Sequence, residues 1–116
     1  MSMHRSFPSH WLRAVLPLAV MHVLAKEATY GYEIAASLKE SGFGDIKGGT
    51  LYPLLARLER DELVSPQWRA GESGPGRKYY ELTEQGRAQL DEQTQQWREF
   101  SQIVTAHFAH NKEKPA

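Results

Sequence analysis

The chain has 116 residues, 41% of them hydrophobic, with 14 basic and 14 acidic side chains and no cysteine. That size holds one compact domain with a modest core, and the lack of thiols excludes a disulfide framework or a thiolate metal site and fits a reducing cytoplasm. The formal net charge of zero counts against a uniformly basic nucleic-acid binder, though phosphate contacts depend on where Lys and Arg gather rather than on their sum.

The first helix is expected over Ser9–Lys26, with Ser9 as its N-cap. Leu12, Leu16, Ala19, Val20 and Val23 fall on one helical stripe, and Val15, Leu18 and Met21 widen it. Pro17 removes a backbone donor, which implies either a kink or an irregular start with regular helix from about Leu16. The apolar stretch Trp11–Ala25 is interrupted by Arg13, Pro17 and His22, too mixed for a membrane span, and no signal-peptide pattern precedes it. A cytoplasmic protein without membrane contact is expected. The second helix is expected from Gly31 to Lys39, with Tyr30, Ile34, Ala35 and Leu38 on its apolar face. Ser41-Gly42-Phe43-Gly44 ends it.

The third helix is expected over Thr50–Asp61. Leu51, Leu54, Leu55 and Leu58 form its buried stripe, and Thr50, Pro53, Arg57 and Arg60 the opposite one. Pro53 is tolerated in a first turn, which puts the start near Gly49–Tyr52. Leu63 to Arg69 and Lys78 to Leu82 read as the strands of a hairpin, with Pro66 confining the first to an edge or a bulge. Ala70 to Gly76 makes the protruding connection. Thr83 caps a last helix running to about Ala109. Leu90, Trp97 and Val104 are spaced by seven, with Phe100 and Phe108 beside them, a seam that calls for a partner. Asn111 to Ala116 reads as a frayed tail.

Three helices, a hairpin and a long helix is the order of a winged helix-turn-helix: a mainly α fold with a small β-hairpin. Residues 9–82 would form the winged unit and 83–110 a dimerisation helix. In such a fold the third helix can enter a major groove and the hairpin can reach a neighbouring one. Lys47, Arg57 and Arg60 lie on or beside the third helix, and Arg69, Arg77 and Lys78 on the hairpin. The acidic residues nearby (Glu59, Asp61, Glu62, Glu72) fall mainly at a helix end and a loop tip.

The residues in order resemble the PadR family of transcriptional regulators in its short form. Tyr30-Gly31-Tyr32-Glu33-Ile34 is similar to the motif opening the second helix. Gly49-Thr50-Leu51-Tyr52-Pro53-Leu54-Leu55, then Arg57-Leu58-Glu59, resembles the recognition-helix signature. Gly74-Pro75 and Arg77-Lys78-Tyr79-Tyr80 resemble the wing, and Leu82-Thr83 with Gly86 the start of the last helix. The resemblance implies a homodimer in which the C-terminal helix packs on the partner's first helix. It also implies repression of transcription, in many members relieved by a small molecule. One position departs: a family glycine after the third helix is replaced within Asp61-Glu62-Leu63-Val64. A left-handed Glu62 would cost about 1 kcal/mol.

Taken singly, Thr50, Tyr52, Pro53 and Arg57 are the groove-facing candidates, since hydroxyls and a guanidinium can bond phosphates or base edges. Tyr52 as a core aromatic and Pro53 as a helix initiator are the structural alternatives. Tyr32 and Lys47 are phosphate candidates, with packing against the first helix as the structural alternative for Tyr32. Arg77 and Lys78 alternate along a strand, so one of the pair is expected to touch DNA. Leu90, Trp97, Phe100, Val104 and Phe108 are expected at a dimer interface. A small planar aromatic effector could stack among Trp11, Trp97 and Phe100, against the plainer reading of Trp97 as an interface anchor. Trp68 is expected to pack locally, and Tyr80 with Leu82 in the core. No catalytic constellation, cofactor loop or convincing metal site is read: His107 and His110, three apart near a helix end, are too few. The expected partners are double-stranded DNA and a second copy of the chain. The alternative is a winged-helix protein-interaction module without DNA binding.

Overall fold

The computed structural model describes residues 7–71 and 74–113. Helix α1 spans Ser9–Lys26 and runs through Pro17 unbroken. The donor missing at Pro17 would have met the carbonyl of Arg13, an exposed residue, where water can serve instead. Ser9 is the first helical residue rather than the cap. Pro8 holds the cap position, and its carbonyl accepts from the Trp11 amide at 3.0 Å. The buried face is Leu16, Val20, Met21 and Leu24. Leu12, Leu18, Ala19 and Val23 lie at its margin, while His22 is exposed.

A strand invisible to periodicity follows: β1, Thr29–Tyr30. Helix α2, Gly31–Leu38, buries Ile34 and Leu38. It does not stop there but widens into a π-helical turn over Lys39–Phe43. The chain then reverses at Gly42 (φ 103°) and Gly44 (φ 84°), where a side chain would be strained. Lys39 and Asp45 close this turn with an ion pair of 3.0 Å.

Helix α3 spans Gly48–Arg60 and buries all four expected leucines. It starts two residues before the expected Thr50, so Pro53 sits in its second turn. The amide hydrogen bond that Pro53 forgoes would have gone to Gly49, an exposed glycine, so the loss falls on a wet carbonyl. At the other end the Glu62 amide bonds the Glu59 carbonyl (3.0 Å) and the Leu63 amide the Leu58 carbonyl (2.9 Å). This is a Schellman closure, with Leu63 and Leu58 both buried. It requires a left-handed residue at Glu62, and φ there is 63°.

Strands β2 (Val64–Arg69) and β3 (Arg77–Leu82) pair antiparallel from Val64↔Leu82 to Arg69↔Arg77, and β1 adds on the far side of β3 through Thr29↔Tyr80 and Tyr30↔Tyr79. The order β1-β3-β2 leaves Pro66 on an edge strand, in regular register with Tyr80. Glu72 and Ser73, the centre of the connection, lie outside the described residues. Helix α4 runs Glu84–Glu113, through the first half of the expected tail. Thr83 caps it, accepting from the Gly86 amide at 2.9 Å and donating to the Glu62 carbonyl at 2.8 Å. A Cβ on Gly86 would collide with the Leu63 carbonyl, so the start of α4 sits directly on the end of α3.

One core joins α1, α2, α3, the sheet and Leu90 of α4. Past Leu90 the helix crosses α1 as far as Trp97 and Phe100 and then leaves the body, and the molecule measures 64 × 36 × 21 Å. Among the described residues no helix is long and apolar enough to cross a membrane, and no three His, Asp or Glu side chains gather to hold a metal.

Candidate nucleic-acid interface

Because Leu51, Leu54, Leu55 and Leu58 turn inward, the other side of α3 is bare. Thr50, Tyr52, Pro53 and Arg57 are all exposed, as are Lys47 and Tyr32 on the neighbouring segments. Tyr52 is 53% exposed and is not the core aromatic of the alternative reading. Its ring lies close to Gly31 and Gly48, and a Cβ at Gly31 would run into it. Two glycines from two elements thus make the seat that fixes this phenol at the surface. Tyr32, 72% exposed, stands at the start of α2.

The wing sorts its cations by strand alternation. Arg77 lies over the Tyr30 ring at 4.6 Å and Arg69 over the Tyr79 ring at 4.3 Å. The two tyrosines are themselves paired across β1 and β3, 5.3 Å apart. Cation–π contact of this kind holds a guanidinium in place while leaving its edge donors open. Lys78 points the other way and meets Glu59 of α3 at 3.1 Å. That hydrogen bond holds the ammonium above its ordinary value, so Lys78 stays charged but is engaged within the chain. Beneath it Tyr80 is buried, and burial pushes its phenol up. Tyr30, Gly31, Tyr52, Arg77, Lys78 and Tyr80 together line a cleft of about 290 Å³ between α3 and the wing.

Sequence reasoning missed three members of this surface. Tyr30 was assigned to the apolar face of α2, and its place in β1 makes it the support for Arg77. Glu59 is read from sequence only as one of the acids near a helix end, and its pairing with Lys78 comes from tertiary placement that no local spacing signals. Trp68 is 72% exposed instead of packed locally. It lies opposite Lys78 in the ladder, beyond the point where the core ends.

A second set of candidates lies where α4 crosses α1. Trp11 and Trp97 line one cavity of about 540 Å³, with Leu12, Val15 and the turn Ser41–Asp45 around it. Phe100 lines an adjoining groove of about 240 Å³ with Ala14, Val15 and Leu18 and tilts against Trp97 at 6.0 Å. Trp97, Phe100, Ile103 and Phe108 are exposed, and Val104 is half-buried. Leu90 departs from the expected seam: it is 5% exposed, because the first turns of α4 pack into the chain's own core.

Sequence and structure comparisons agree on this scaffold. The Transcriptional regulator PadR-like family matches residues 20–92. A transcriptional regulator of Mycobacterium tuberculosis is 33% identical over 98 residues, covering 84% of this chain and 90% of its own. A PadR-like transcriptional regulator from Bacillus cereus superposes with a TM-score of 0.78 at 34% identity, over 85% of this chain and 96% of its own. A PadR-like transcription factor from Bacteroides fragilis gives 0.73 at 39% identity, over 84% and 94%.

Proposed function

Since the chain belongs to the PadR-like family of transcriptional regulators, we propose that it binds double-stranded DNA as a homodimer and represses the genes it sits on. The observation that carries this is the two-sided chemistry of α3: leucines fully withdrawn, and Thr50, Tyr52, Pro53 and Arg57 open to solvent. Arg57 pairs with guanine or phosphate, and Thr50 and Tyr52 supply hydroxyls. Lys47 and Tyr32 reach phosphates at the two ends of the helix pair. Arg77, held on Tyr30, takes the wing contact, and Lys78 braces the wing against α3. Residues 9–82 do the binding, and 83–110 join the two copies through Trp97, Phe100, Val104 and Phe108. Two copies of α3 related by a two-fold axis then enter successive major grooves about 34 Å apart. Bound across a promoter, such a dimer blocks access to it.

Release by a small planar aromatic molecule is the regulatory half of the proposal. Trp11 and Trp97 face one apolar cavity, which suits a flat ligand. A ligand there shifts the dimer only through unequal affinity for the binding and non-binding spacings. Footprinting of the region upstream of the protein's own gene tests the repressor reading. Two protected half-sites one helical turn apart are expected, with loss of reporter transcription. Protection that survives high salt unchanged, or partners that are proteins and not duplexes, would favour an interaction module.

A further inference from the structure

Trp68 is the largest side chain of the wing and is 72% exposed. Among the described residues no aromatic ring or cation stacks on it. An indole left in water is an unused apolar surface, and one set among cations on a protruding hairpin is suited to a partner that is both flat-sided and anionic.

Its direction follows from register. Trp68 is opposite Lys78 and Pro66 opposite Tyr80, and side chains two apart share a face. Trp68 therefore lies on the same face as Val64, Tyr80 and Leu82, which are buried, but beyond them toward the tip. This is the side from which Lys78 reaches Glu59 of α3. Among the described strand residues the outer part of that face carries Trp68, Pro66 and Lys78, with the Lys78 ammonium paired to Glu59 of α3. The wing acid Glu81 is on the opposite face, bonded to Gln67 at 2.8 Å. Arg69 and Arg77 flank Trp68 at the end of the ladder. Trp68 thus shares its face with Lys78, on the side turned toward α3, while Arg69 and Arg77 lie on the opposite face over Tyr79 and Tyr30.

We infer that Trp68 is a duplex-contacting residue, its indole lying on the deoxyribose–phosphate edge beside the groove that α3 enters. The inference rests on the reading of α3 as the DNA-binding helix. The ring's face covers the apolar side of a deoxyribose, and its N–H donates to a phosphate oxygen. Neither contact depends on base identity, so Trp68 adds affinity to every sequence alike. Most of its contribution comes from area removed from water, so it leaves the number of released counterions unchanged.

The test uses the full-length protein labelled with 5-fluorotryptophan, whose three ¹⁹F resonances (Trp11, Trp68, Trp97) are assigned by single Trp→Phe changes. On adding duplex from upstream of the protein's gene, the Trp68 resonance shifts and loses its sensitivity to solvent isotope. Trp68→Ala keeps the wild-type melting temperature. It weakens binding about tenfold to upstream and scrambled duplexes alike, as expected for about 60 Å² of ring no longer withdrawn from water, with an unchanged salt slope. Trp68→Phe keeps most of the affinity, and Arg57→Ala removes the preference between the two duplexes. An unmoved Trp68 resonance with full affinity in Trp68→Ala, while Arg57→Ala weakens binding, overturns the inference and leaves the DNA reading standing. Failure of the wild type to bind either duplex overturns both.

Discussion

The Thr83 hydroxyl serves two helices at once. It accepts from the Gly86 amide at 2.9 Å as the cap of α4, and it donates to the Glu62 carbonyl at 2.8 Å just past α3. Replacing it with alanine leaves an amide and a carbonyl without that partner, and Thr83→Ala should lose about 1–2 kcal/mol in urea unfolding, with Thr83→Ser retaining most of it. Glu62 works in the opposite sense. Its left-handed backbone (φ 63°) is strain that glycine would not carry, so Glu62→Gly should raise stability by up to about 1 kcal/mol in the same measurement. The alkaline limb has a definite sign. Lys78 and Tyr80 are both held above their ordinary values of 10.5 and 10.0. Each therefore contributes stability that is complete below its ordinary value and is lost as pH rises through the higher, folded one. Wild-type unfolding free energy should fall above about pH 10, and Tyr80→Phe should flatten that fall. A slope unaltered by the substitution would contradict this account.

Among the elements, the helices were legible because each writes its burial into a repeating pattern. Leu51, Leu54, Leu55 and Leu58 predict the inner side of α3, and with it the outer side. Strand β1 was not legible, since two residues carry no period and Thr29–Tyr30 is a strand only because β3 lies alongside. Exposure of Trp68 was equally hidden: alternation assigns it a face but does not say where along that face the core ends. The seat of Tyr52 depends on contact between α2 and α3, and makes a prediction of its own. Gly31→Ala puts a Cβ against the Tyr52 ring. The ring is free to swing into solvent, so melting should be nearly unchanged while DNA affinity falls severalfold. A Gly31→Ala variant with full affinity would remove Tyr52 from the interface.

For the whole molecule, shape is the argument. The radius of gyration is 17.1 Å, against about 13 Å for a compact chain of this length. The excess is α4, which carries Trp97, Phe100, Ile103 and Phe108 into solvent. A single chain gains little from such a helix, whereas two chains bury those residues together. Sedimentation should find two chains per particle, and Phe100→Lys should dissociate them and weaken binding to a two-half-site duplex far more than to a single half-site. The dimer in turn sets the separation of the two α3 helices, so everything proposed for the molecule returns to what that helix touches. The most direct measurement is fluorescence anisotropy of a labelled duplex from upstream of the protein's own gene, titrated with wild type and with Arg57→Ala at two salt concentrations. Tight, steeply salt-dependent binding that drops at least about tenfold in Arg57→Ala is the expected result, the size of one good bidentate contact. Equal affinity of the two proteins would contradict the assignment of α3 as the helix that reads DNA.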